Sequence, residues 1–243
     1  MREVIASSMS EQSSTVHCVS DSSWQSTFQD LGRQLIDTTF VVIDLETTGG
    51  APHLGAAITE IGAVKVKAGH VIQEFNSFVN PEHPVPSYIT ELTGINDAML
   101  AGAPTTYEIF PHLMEFLGDH QSTVLVAQNA PFDLSFLKYA ASINKFAWPN
   151  FPVLDTAIIA RKVLTRDEAP NCRLGTLAEF FGTSTTPNHR ALDDARATVD
   201  VFHGLLERLG SLDIYTLEEL LNFGKRIKKP KSPELRRPNS VKE

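Results

Sequence analysis

Cysteine is scarce in this 243-residue chain, with Cys18 and Cys172 the only two. One lies in a polar stretch and the other in a loop-like stretch, so a disulfide framework is not expected. No Cys-x-x-Cys pair and no Cys/His cluster occurs, which leaves a zinc site without a ligand set. Long apolar runs are also missing. Nothing approaches the roughly 20 consecutive apolar residues of a membrane-crossing helix. Met1-Arg2-Glu3-Val4-Ile5-Ala6 gives way at once to Ser7-Ser8-Met9-Ser10-Glu11, without the apolar stretch of a secretory leader. The expectation is a cytoplasmic protein with no membrane partner. Positive charge is short overall, the formal net charge being −8. Its distribution is uneven, however. Lys225 to Glu243 holds eight basic residues against two acidic ones, which gives that stretch +6 and leaves −14 on the remainder. An acidic body can meet DNA where metal ions neutralise its carboxylates. The basic tail can add phosphate contacts or serve as a solvated linker.

What is present reads as one large domain with tails. Hydrophobic residues make up 42% of the chain, ordinary for a globular core. Residues 1–36 are Ser-rich and lack periodicity, and are expected to be mostly disordered. Thr39 to Leu45 is a β-branched apolar run that suits a strand buried on both faces. Ile58 to Lys67 and Val71 to Val79 alternate more and flank Ala68-Gly69-His70, so they read as a hairpin. Ser87 to Leu92 is a short helix closed by Gly94, and Thr105 to Leu117 an amphipathic one. Thr123 to Ala127 is a fourth strand. Pro131 opens a helix to about Ser142. Val153-Leu154 is a short strand, and Asp155 caps a helix to about Leu164. Helices are expected over Arg173 to Phe181, Asn188 to about Leu209, and Thr216 to about Ile227. A three-strand meander followed by alternating strands and helices predicts an α/β fold, a mixed sheet flanked by helices. The expected domain spans 37–212, with a C-terminal helix and basic tail over 213–243.

The chemistry is carried by acidic residues. Asp44 and Glu46 are two apart on the first strand, so they project to the same side. Paired carboxylates repel unless cations bind between them. Asp133 falls on the first turn of its helix, where an acid also complements the helix dipole. His189 lies at the start of the long helix, with Asp194 five residues on and near the apolar stripe through Leu192. Asp193 is one residue off and reads as solvated.

Taken in order, three segments resemble the DEDDh, or DnaQ-like, 3′→5′ exonuclease superfamily. They are Val42-Ile43-Asp44-Leu45-Glu46-Thr47-Thr48-Gly49, Asn129-Ala130-Pro131-Phe132-Asp133 and His189-Arg190-Ala191-Leu192-Asp193-Asp194-Ala195. Ile58-Thr59-Glu60-Ile61-Gly62-Ala63 and Leu92-Thr93-Gly94-Ile95 add to the likeness, which covers about Thr39 to Leu209. It is nearest the epsilon subunit of DNA polymerase III. Asn171-Cys172-Arg173-Leu174 and Thr186-Pro187-Asn188-His189-Arg190 also resemble actinobacterial proteins that join such a domain to a GIY-YIG nuclease. The resemblance implies a ribonuclease H-like fold with a five-stranded sheet. It also implies hydrolysis of DNA from the 3′ end, in proofreading or repair, with two Mg2+ or Mn2+ ions per site. Asp44, Glu46 and Asp194 would hold the first ion; Asp44 would bridge to the second, supported by Asp133; His189 would be the general base. Thr47, Leu92, Thr93 and Asn129 would contact the terminal nucleotide. Gln128 stands where many relatives carry His. No clamp-binding segment of the Gln-x-x-Leu-Phe kind follows the domain, so association with DNA polymerase III subunits stays open. RNA as the substrate, or a non-catalytic recruitment module, are the alternatives.

Overall fold

β-Branched and aromatic residues crowd the first strand, and the structure buries them on both sides. The computed structural model describes residues 32–225. Residues 1–31 of the Ser-rich stretch, with Cys18, the basic tail after Lys225 and the expected helix end at Ile227 lie outside the described residues, whereas Leu35–Asp37 form a short 3-10 helix where disorder is expected. The strands are β1 (Thr39–Thr47), β2 (Ile58–Lys67), β3 (His70–Phe78), β4 (Thr123–Ala127) and β5 (Val153–Asp155). They form one mixed sheet in the order β3-β2-β1-β4-β5. β2 runs antiparallel to β1 and β3 antiparallel to β2, while β4 pairs parallel with β1 and β5 parallel with β4.

The helices are α1 (Ser87–Thr93), α2 (Asp97–Leu100), α3 (Thr106–Leu117), α4 (Pro131–Ile143), α5 (Thr156–Val163), α6 (Leu174–Phe181), α7 (Ala191–Gly210) and α8 (Leu217–Gly224). Local chemistry explains their starts. Thr105 and Glu108 form a capping box at α3, and Thr216 and Glu219 form another at α8. Asp155 caps α5, its carboxylate accepting from the Ala157 and Ile158 N–H groups. α2 is a single turn capped by Asn96, too short to leave a periodic signal in the sequence.

Strand alternation sorts the core into two layers. Phe40 and Val42 of β1 join a cluster with Val124, Val199, Phe202 and Leu205, on the α7 side of the sheet. Val41, Ile43 and Leu45 join the opposite cluster with Phe110, Leu113 and Phe136 of α3 and α4. Each such fully buried side chain contributes about 1.5–3 kcal/mol. Residues 44 and 46 continue the 40, 42 row, so the same alternation that buries Phe40 and Val42 aims two carboxylates at α7. Leu217 and Leu220 of α8 are buried in the α7-side cluster too.

The long helix starts later than its sequence suggests. It begins at Ala191, with Arg190 as N-cap residue and His189 outside it at φ 60°. The local reason is that the Asn188 N–H turns back to the Asp194 carboxylate, 2.9 Å away. The segment before Ala191 therefore closes onto the first helical turn instead of extending it.

One glycine fixes how closely α7 meets the sheet. A Cβ built on Gly62 of β2 would lie 2.2 Å from the Ala191 carbonyl carbon and 2.2 Å from the Leu192 nitrogen, both backbone atoms. Gly62 is the register partner of Asp44, so this close approach is made beside the carboxylate. The expected result for Gly62→Ala is a loss of about 1–3 kcal/mol in denaturant unfolding, through overpacking against backbone that cannot step aside. Gly175→Ala, with no atom within 4 Å of the new Cβ, should leave stability level or slightly raised. Equal behaviour of the two variants would contradict this packing.

Candidate active site

The C-terminal end of β1, the start of α4, helix α1 and the segment entering α7 converge on one pocket of about 340 Å³. Asp44, Glu46, Thr47, Leu92, Thr93, Asp133, His189 and Asp194 all line it. Each arrives by a different local device. A register shift between Glu46 and Thr47 ends the regular β1–β2 pairing, and such irregularities re-aim side chains at sheet ends. Asn129, at φ 64°, makes the tight turn that lets Pro131 open α4. Asp133 on its first turn is 2% exposed. α1 is anchored by Ile89, which packs with Val85, Ile95 and Leu100, and so presents Leu92 and Thr93 to the pocket.

Side-chain atoms of Glu46, His189 and Asp194 lie within 4.8 Å of one another, one ligand atom from each. Asp194 lines the pocket, whereas Asp193 faces away to Arg196 and Asn188. Asn129 is not among the lining residues. Its N–H bonds instead to Asp155 Oδ1 at 3.3 Å, and its neighbour Gln128 reaches the pocket.

The family model for the RNase T exonucleases matches residues 41–202, a span that takes in all five acidic and histidine positions. The chain belongs to this exonuclease family. It is 52% identical over 194 residues to a Mycobacterium tuberculosis protein named as a bifunctional exonuclease/endonuclease, covering 78% of this chain and 30% of that one. It is 40% identical over 185 residues to the PolC-type DNA polymerase III of Caldanaerobacter subterraneus, covering 76% of this chain and 13% of the polymerase. The exonuclease thus spans less than a third of the length of these relatives. Its fold matches exonuclease X in complex with 5′ overhanging duplex DNA, with a TM-score of 0.59 at 24% identity over 76% of this chain and 99% of that one. The fold is ribonuclease H-like, and the chain sits within the DnaQ-like exonuclease superfamily.

The pocket of this exonuclease concentrates negative charge in poor contact with water. Burial pushes the Glu46 carboxyl up to about 7, with Asp194 and Glu60 adding repulsion and Arg190 opposing it. Burial raises Asp133 to about 8, although N–H groups of Asp133 and Leu45 favour its charged form. Asp44 is raised well above the usual carboxylate range, by burial first and then by Asp133, Asp194 and Glu46. Asp194 is raised by burial against the pull of the Asn188 hydrogen bond. Among the described residues, neither Asp44 nor Glu46 takes part in a salt bridge. Oxygen donors crowded together beside one imidazole suit hard divalent cations.

Three features of the site were not assigned roles from sequence. Gln128 donates through Nε2 to the Cys172 carbonyl oxygen at 2.6 Å and accepts from Thr156 Oγ1, pinning the turn before α4. Tyr88, 61% exposed, stands at the pocket rim. Glu60, 1% exposed, meets Arg190 in a two-pronged ion pair. A lone glycine within an apolar strand was the one available signal, since Gly62 marks a close backbone approach. Pairings across 130 residues leave no periodic trace.

The carboxyl shifts carry a pH signature. A carboxyl raised in the folded chain keeps its proton over a range where the unfolded chain has released it. The stability tied to Glu46 is therefore full below its ordinary pKa of 4.5, falls as pH rises, and levels off above about 7. In chelator-treated protein, Glu46→Gln should match the unaltered chain near pH 4.5 and exceed it by on the order of 2–3 kcal/mol at pH 8. Chemical denaturation across that range reads the difference. A gap that is constant with pH, or of opposite sign, would contradict the assignment.

Proposed function

We propose that this chain hydrolyses DNA stepwise from its 3′ end, with two divalent cations, Mg2+ or Mn2+, held at the acidic pocket. The observation that carries the reading is the convergence of Glu46, His189 and Asp194 within 4.8 Å, in a pocket also lined by Asp44 and Asp133. Asp44, Glu46 and Asp194 would hold the first cation; Asp44 would extend to the second, with Asp133 behind it. When bound, such cations polarise the phosphodiester and stabilise charge on the attacking and departing oxygens.

The side chains do the rest. His189 is exposed and free to reach solvent, so its imidazole takes the proton of the attacking water. Thr47, Leu92 and Thr93 line the same pocket and would position the terminal nucleotide. Asn129 would serve that end by shaping the turn before Asp133. A 3′ end must be single-stranded or frayed to enter the pocket, which fits proofreading or repair. The likeness to PolC-type DNA polymerase III supports DNA over RNA and supports DNA polymerase III subunits as partners.

The expected outcome is stepwise shortening of a 5′-labelled single-stranded DNA with Mg2+ or Mn2+, faster on mismatched than on fully paired 3′ ends. Asp44→Ala and His189→Ala should each lower the rate by at least about 10²-fold. Side-by-side assay of matched DNA and RNA oligomers checks the substrate. Full activity of Asp44→Ala would overturn the mechanism, and faster degradation of RNA would reassign the substrate.

A further inference from the structure

His189 occupies backbone that non-glycine residues seldom adopt, at φ 60°. A residue so placed costs on the order of 1 kcal/mol and persists only where its neighbours over-determine it. Two sets of bonds flank it. On the N-terminal side, Asn188 donates its N–H to Asp194 Oδ1 at 2.9 Å and its Nδ2 to Asp193 Oδ2 at 3.0 Å. On the C-terminal side, Arg190 Nε and Nη2 reach Glu60 Oε2 and Oε1 at 3.1 and 2.9 Å. The Ala191 N–H also donates to Glu60 Oε2, at 3.1 Å. The Arg190 guanidinium further lies 5.2 Å from the centre of the Phe78 ring. Arg190 is thereby clamped between a carboxylate of β2 and an aromatic ring of β3.

Glu60 also needs an account of its own. It stands directly opposite Glu46 in the β1–β2 register, and residues so paired share a face of the sheet. Two like charges there repel. The fork of Arg190 and the Ala191 N–H engage both oxygens of Glu60, so this carboxylate is spoken for, while Glu46 has no salt bridge among the described residues. The arrangement divides two adjacent glutamates into one that faces the pocket and one that ties the next segment to the sheet.

We infer that Arg190, through its two-pronged bond to Glu60, is a positioning residue that holds the His189 imidazole at the pocket. This rests on the general-base role of His189. The Asn188 N–H bond cannot be separated from Asp194, which belongs to the acidic pocket itself. The Arg190 bonds can, because Glu60 lies outside the pocket lining. A planar guanidinium makes two parallel bonds to a carboxylate, and a lysine ammonium keeps the charge but not the fork.

Arg190→Lys is therefore the discriminating variant, assayed in the full chain with Mn2+ and single-stranded DNA. Supporting groups behind an active site are commonly worth roughly 10–100-fold. The expected result is at least a tenfold fall in kcat, with KM and calorimetric Mn2+ affinity within twofold. The same change made in His189→Ala should cost less than twofold more, since a residue acting through His189 has nothing left to position. Glu60→Gln, which keeps an oxygen for the Ala191 N–H, should give a smaller fall of the same kind. An equal fractional loss in both backgrounds, a loss that tracks Mn2+ affinity, or a kcat within twofold of the unaltered chain would each overturn the inference. Failure of the underlying reading shows itself separately, as full activity in His189→Ala alone.

Discussion

Carboxylates that repel one another are forced together here by packing that has no other outlet. Phe40 and Val42 must face α7 to complete one half of the core. The period of two then aims Asp44 and Glu46 the same way. The backbone of α7 meets β2 at Gly62 with no room for a Cβ, which brings Asp194 and the segment bearing His189 against them. Burial first, and crowding second, raises the pKa of four acids, so assembling them costs stability when no cation is present. The two apolar layers around the sheet offset that cost. Strain at a site supported by a core elsewhere is the usual signature of function rather than of folding.

Much of this was legible in the sequence because the site is built on regular elements. The β1 run, the hairpin, Pro131 at the start of α4 and the Asp155 cap each follow from local rules, and each appears where those rules put it. Asp44 and Glu46 could be placed on one face from strand periodicity alone. The fork at the start of α7 was not legible in the same way. Helical periodicity carries the apolar stripe back toward Asn188, but the Asn188 hydrogen bond to Asp194 and the φ of His189 stop the helix at Ala191. Those are tertiary and backbone effects that composition does not encode. The same holds for Glu60, whose partner is 130 positions away, and for Gln128, whose amide is used by Thr156 and Cys172.

Electrostatics also reconciles the chain's acidity with a polyanionic substrate. A body of net negative charge would repel DNA everywhere except where bound cations reverse the local sign. In the proposed reading, the acidic pocket is that place. Outside that pocket, Arg190 matches the charge of Glu60. On that reading affinity for substrate and affinity for metal are coupled in a single pocket, and the opening of α4, the end of β1 and the entry to α7 share the task of shaping it.

The most direct measurement is a calorimetric titration of the chelator-treated chain with Mn2+ at about pH 7.5, repeated in two buffers of different ionisation enthalpy. The account predicts saturation at two ions per chain, with protons released as carboxyls raised to about 7 and about 8 give them up. It also predicts loss of the second ion in Asp133→Asn. Absence of saturable binding, or binding that leaves the proton balance unchanged, would contradict it.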